Sequence, residues 1–322
     1  MPTETRPRSR AFELALAAAL ACGVILAVQS RVNGELGLHV GAMPAAWISF
    51  GSGLLLLALL WASARFRAAF GRVRRAVRER RLLPWQLCGG VAGGLLVATQ
   101  TYAVPLVGVA TFLIAIVGGQ MVSALVVDRL GLGPAPPERI TAARVAASLL
   151  AVVGVLTAVG PELTSGLAWL PILLAFLVGM STAVQQATNA LITATGGDSA
   201  VTAFINFAMG MAVLVLIGAW TVLPGGVPDL STAPWWAWVG GPMGGVFIIL
   251  AAWAVVHSGV LLFGLVTVTS QLGTGVVLDL IEPSTRDQVG AQMLLGVALT
   301  VVAALGAAMA RARARRGGRL AG

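Results

Sequence analysis

The chain has 322 residues, of which 58% are hydrophobic and only 10% charged, with a formal charge of +9. A soluble domain keeps roughly a quarter of its residues charged to cover its surface. A water-exposed surface is therefore excluded, and at a mean hydropathy of +0.91 lipid is the expected solvent. The basic residues are all arginine and sit mostly in clusters between apolar runs, a pattern of loops facing anionic lipid rather than nucleic acid.

Windows of about 20 residues, the length that crosses the hydrocarbon, divide the chain into ten predicted helices. These are Ala11–Val32, Ala42–Ala62, Pro84–Val104, Leu106–Val127, Thr141–Val159, Ala168–Ala190, Ala200–Val222, Trp235–Val256, Ser258–Leu280 and Val289–Ala310. Turn or charge signals separate them, such as Gly131 to Pro137, Gly160-Pro161 and Glu282-Pro283. The first window is longer than the apolar stretch of a signal peptide, so it is expected to be a retained helix. Cys22 and Cys88 fall inside apolar runs and supply neither a disulfide framework nor metal-ligand spacing.

Arginine sets the expected orientation. Arg6, Arg8 and Arg10, the eight arginines from Arg65 to Arg81, Arg129 with Arg139, and the tail from Arg311 to Arg319 all fall on one side of a ten-span chain. The positive-inside rule makes that side cytoplasmic, with both termini inside. The exceptions, Arg31 and Arg286, have carboxylates nearby in Glu35, Glu282 and Asp287.

The two halves of the chain repeat. Gln29 and Asn33 match Gln185 and Asn189, each pair spaced i,i+4 on one helix face. Ile48-Ser49-Phe50 through Gly53 matches Ile205-Asn206-Phe207 through Gly210, and Gly89-Gly90 with Gly93-Gly94 matches Gly240-Gly241 with Gly244-Gly245. From there the alignment runs without a gap through Tyr102/Trp253, Gly108/Gly259 and Gln120/Gln271 to Asp128/Asp279. With five helices per half the second copy enters inverted, so the expected fold is an all-α membrane bundle of two five-helix repeats, 1–160 and 161–322.

At these residues the chain resembles the drug/metabolite transporter superfamily, and within it the YdcZ type of inner-membrane exporter. The shared features are Gln-x-x-x-Asn in the first helix of each repeat and small-x-Phe-x-x-Gly in the second. The resemblance implies a ten-helix bundle in a bacterial inner membrane, a central cavity between the halves, and transport of a small solute. Small multidrug exporters of that superfamily use a carboxylate deep in the first helix. Here Glu13 lies near the start of that helix and is expected at the interface instead.

Gln120 and Gln271 stand near the middle of their helices, where an amide must face protein; they are expected either to line a cavity or to join helices. Gln29, Asn33, Gln185 and Asn189 are candidates for the two mouths of a pathway, the alternative being helix-end caps. Tyr102 and Trp253 are candidates for stacking on a solute or for interfacial anchoring. Gln100, with Ala251 opposite it, is the asymmetric candidate, and Thr267, Thr269, Ser270 and Thr274 make the ninth helix polar. The glycine pairs are expected to pack helices, the alternative being a hinge, and Asp128 and Asp279 to be solvated at the interface, the alternative being a gate salt bridge. His39 and His257 are isolated, so no metal is expected.

The function expected is a secondary transporter for a small neutral or cationic organic solute, with the bilayer as the other partner; export is the direction that the resemblance implies. No Walker motif is present, so neither ATP nor another cofactor is expected. The alternatives are a receptor or scaffold without flux, and a membrane-embedded lipid-modifying enzyme, which would need a cluster of acids, His or a nucleophile. Substrate identity, direction of transport, the coupling ion or its absence, and oligomeric state, a homodimer included, stay open.

Overall fold

The computed structural model describes residues 10–320 apart from 135, 164–168, 225 and 227. Arg6, Arg8, the side chains of the connection 161–166, and those of Arg313, Arg315, Arg316 and Arg319 lie outside the described residues. The protein is an all-α integral membrane fold. Its helices are α1 (Arg10–Val40), α2 (Ala42–Ala58), α3 (Ala64–Arg78), α4 (Gly89–Leu130), α5 (Ala142–Leu163), α6 (Trp169–Gly196), α7 (Ser199–Val222), α8 (Gly240–Ser258), α9 (Val260–Ile281) and α10 (Ala291–Leu320).

Among the described residues nine helical stretches are long and apolar enough to cross a membrane, and one of them, Pro84–Leu130, is long enough for two crossings. The 42 residues of α4 would run roughly 63 Å if straight, about twice the hydrocarbon thickness. Gly108 breaks the run with φ 78° and ψ 168°. Gly259, at the aligned position, separates α8 from α9 with φ 78° and ψ 153°. Both corners need a backbone conformation that is open mainly to glycine.

Two elements differ from the sequence expectation. Helix α1 continues to Val40, so Asn33 lies well inside it and does not cap its end; Asn189 is likewise inside α6. The arginine-rich second connection is expected to be a loop, yet it forms α3. Phe66, Ala69, Val73 and Ala76 make one buried stripe at helical spacing, packed with Ile192, Val201 and Ile205 of α6 and α7. Ser63 accepts the Phe66 N–H at its start, and Arg72 donates twice to the Gly196 carbonyl at the end of α6. The charge density of this stretch conceals its apolar stripe.

The first helix of each half packs mainly against helices of the other. Helix α1 lies against α8 and α9, and α6 lies against α4. Helices α2 and α7 meet through Phe50 and Phe207, whose ring centroids are 4.9 Å apart. Aligned glycines make matching contacts: a Cβ on Gly53 would strike Phe207, and one on Gly210 would strike Phe50. A Cβ on Gly23 would meet the Thr267 carbonyl of α9, and one on Gly179 the Ile116 carbonyl at the aligned place in α4. The largest apolar core surrounds the second part of α4, from Val109 to Val117.

The glycine pairs pack as expected. A Cβ on Gly90 would press on the Asn206 carbonyl and one on Gly241 on the Ser49 carbonyl, whereas Gly51 has open space. Gly90→Ala and Gly241→Ala should each destabilise the detergent-solubilised protein by about 1–3 kcal/mol in thermal unfolding. Gly51→Ala, inside α2, should be neutral or gain up to about 1 kcal/mol.

Candidate functional site

The amides of the repeated motif join into two polar clusters, partly or fully buried, one around each copy of the motif. In the first, Asn33 Nδ2 donates to Gln100 Oε1 at 2.6 Å, and Gln100 Nε2 donates to Ser30 Oγ at 2.6 Å. Gln29 Nε2 donates to the Gly240 carbonyl at 2.7 Å, reaching the start of α8. In the second, Gln185 Nε2 donates to Asn206 Oδ1 at 3.1 Å, and Asn206 Nδ2 donates to Asn189 Oδ1 at 2.7 Å. Asn206 is the residue that sequence reasoning passed over. Its signal was the alignment itself, where it stands opposite Ser49.

That substitution has a visible effect. Ser49 is too short to reach across, and both Ser49 Oγ and Asn33 Oδ1 are buried without a hydrogen-bond partner. Gln29 Nε2 and Phe207 both come near Gly244, and Gln185 Nε2 and Phe50 both come near Gly93. Each cluster therefore lies near one ring of the Phe50–Phe207 pair.

Gln120 donates to Thr182 Oγ1 at 2.9 Å, joining α4 to α6. Gln271 is buried beside Gly23, but Leu26 occupies the position aligned with Thr182. Thr267 and Ser270 donate to the carbonyls of Ala19 and Leu20 and so stitch α9 to α1. Ser270, with Thr269 and Thr274, borders a groove of about 630 Å³ between α1, α9 and α10, otherwise lined by Leu20, Val24 and Leu265 among other apolar residues. Tyr102 and Trp253 are exposed on their helices, and Trp253 stacks on His257 at 4.6 Å. Glu13 is exposed in the first turn of α1. No group of three or more His, Cys, Asp or Glu with metal-binding geometry occurs among the described residues.

Asp128 and Asp279 are not simply solvated at an interface. Asp279 is 2% exposed and accepts the N–H groups of Val109 at 2.8 Å and Ala110 at 2.7 Å. It thereby caps the second part of α4 just past the Gly108 corner. Asp128 accepts from Arg144 and Arg311, which also bond Glu138, in a four-residue network tying α4, α5 and α10. Arg31, the basic exception of the sequence, pairs with Glu35 and with Glu282 at the end of α9. Burial sets these arrangements, because a cation left unpaired there would be costly.

Asn206→Ala leaves Gln185 and Asn189 each without a partner, and should cost about 1–2 kcal/mol of stability in the membrane setting. Ser49→Ala removes only an unpaired hydroxyl and should cost less than about 0.5 kcal/mol. Thermal unfolding of the two purified variants in parallel measures the difference.

A family described as "Putative inner membrane exporter, YdcZ" matches the chain twice, over residues 14–157 and 170–306. A solved structure described only as the crystal structure of a protein is 19% identical, with a TM-score of 0.53, covering 96% of this chain and 99% of its own. At that identity the likeness concerns the fold alone. No curated protein matches. With two copies of the family's sequence spanning most of its length, and a helical bundle to match, the chain belongs to the YdcZ family of inner-membrane exporters.

Proposed function

We propose that the protein is a secondary transporter, moving a small neutral or cationic organic solute in the export direction by alternating access between two inverted five-span repeats, 1–160 and 161–322. The observation that carries this reading is the matched set of contacts between the halves. Gly23 on Thr267 answers Gly179 on Ile116, and Gln29 beside Gly244 answers Gln185 beside Gly93. An odd number of spans per repeat turns the second copy over. Arginine bias supports cytoplasmic termini, with α3 and the Arg144–Arg311 network on the inner side.

Charge supports the substrate class. Arg31 and Arg144, the arginines held within α1 and α5, are both engaged by carboxylates, which disfavours a strongly anionic cargo. Gln120 and Gln271 are proposed as central contacts with the solute, with Gln29, Asn33, Gln185, Asn189 and Gln100 toward the two mouths. Tyr102, Trp253, Thr267 and Ser270 complete the proposed set.

Proteoliposomes holding the wild type should show flux of at least one neutral or organic-cation solute from a broad panel. Gln120→Ala and Gln271→Ala should each slow that flux about tenfold, the loss expected from one hydrogen bond to a solute. Thr182→Val, which removes the Gln120 partner but keeps the amide, should slow it less. Folded wild-type protein that moves no member of the panel would overturn the reading, as would a Thr182→Val defect equal to that of Gln120→Ala.

A further inference from the structure

The two corner glycines are alike in backbone and unlike in surroundings. Gly108 is buried, and a Cβ placed on it would lie 2.8 Å from Asp279 Oδ2 and 3.1 Å from its Cγ. Gly259 is exposed, and among the described residues nothing lies within 4 Å of a Cβ placed there. Alignment without a gap pairs Asp279 with Asp128 just as it pairs Gly108 with Gly259. The carboxylate that would close the second corner is therefore present in the sequence, but Arg144 and Arg311 hold it. Val107, one residue before the first corner, is 1% exposed, whereas the aligned Ser258 is only partly buried.

We infer that Asp279 and Asp128 are exchangeable gate carboxylates: Asp279 capping α4 at the Gly108 corner closes one mouth in this conformation, and Asp128 capping α9 at the Gly259 corner closes the other mouth in the opposite one. The inference rests on the two-repeat transporter reading and deepens it. Chemistry favours the exchange, because a carboxylate on the first amides of a helix gains both hydrogen bonds and the helix dipole. Neither move strands a cation. When Asp128 leaves, Arg144 and Arg311 keep Glu138; when Asp279 leaves, Arg31 keeps Glu35 and Glu282. The difference between the halves lies in what guards each mouth. Arg31 and Glu282 brace the closed one, while the aligned positions hold Ala187 and Gly131.

The test uses single reporter cysteines, Val107→Cys or Ser258→Cys, in full-length protein carrying Cys22→Ala and Cys88→Ala. Each is labelled with a membrane-impermeant maleimide in intact cells and in inverted vesicles. In the parent protein Ser258→Cys should label fast from the cytoplasmic side and Val107→Cys slowly from the other. Asp279→Ala should raise Val107→Cys labelling about tenfold and lower that of Ser258→Cys, the size expected for losing one helix cap. Asp128→Ala should do the reverse, lowering Val107→Cys labelling further and leaving Ser258→Cys fully reactive. Reciprocal responses support the exchange. Responses in the same direction, or none, overturn it. Should Asp279→Ala fail to reach the membrane, Asp128→Ala decides alone through Val107→Cys. Reciprocal labelling in a protein that moves no solute would sink the transport reading and leave the gate; flux with no reciprocity would do the opposite.

Discussion

A helix broken where it is buried in protein must find partners for the amides it frees, because an unpaired buried N–H is costly. The structure depends on how that demand is met at Gly108. The carboxylate of Asp279 arrives from α9 and accepts two successive N–H groups, so a local backbone break becomes a bond between the two halves of the chain. The same demand explains the rest of the polar content. Gln100 is satisfied at both ends of its amide, by Asn33 and Ser30. Arg31 carries two carboxylates, and Asp128 carries two arginines. These amides and carboxylates act as joints in this fold, linking one helix to another.

Glycine acts as the other kind of joint. Without Cβ atoms at Gly23, Gly90, Gly179 and Gly241 the helix backbones come close enough to touch a neighbouring carbonyl. Dispersion and close approach replace the hydrophobic effect as the source of association when the surroundings are themselves hydrocarbon. The two halves retain the glycines and the Phe50–Phe207 pair, and differ where polar partners are concerned. Ser49 faces Asn206, Leu26 faces Thr182, and Ala187 faces Arg31 in the alignment. The copies thus share a scaffold while distributing their hydrogen bonds unequally, which is why one cluster is satisfied and the other leaves Asn33 Oδ1 unpaired.

The fold was legible in the sequence to a large degree, and for a physical reason. Crossing a bilayer demands long apolar runs, so span number and rough position follow from length and hydropathy, and the doubled Gln-x-x-x-Asn motif exposed the repeat. Arginine-dense residues 64–78 were not legible as a helix, because the apolar stripe of Phe66, Ala69, Val73 and Ala76 is outnumbered by charge. The site was less visible than the fold. Their place near the middle of apolar spans indicated that Gln120 and Gln271 face protein, but the hydroxyl opposite Gln120 is 62 residues away and no local pattern announces it. The same holds for Asp279, whose partners lie 169 and 170 residues upstream. Local spacing located the two aspartates at helix ends without revealing that one of them is buried.

The corner at Gly259 turns the chain between two membrane helices with a single non-helical residue, and Gly108 does the same between the two parts of α4. Such a reversal offers no slack segment for a protease to draw into its cleft, nor room to splice in an epitope tag. Topology mapping by nicking or by tag insertion would therefore count these hairpins as single spans, and the longer stretch from 223 to 234 is where foreign sequence can be accommodated.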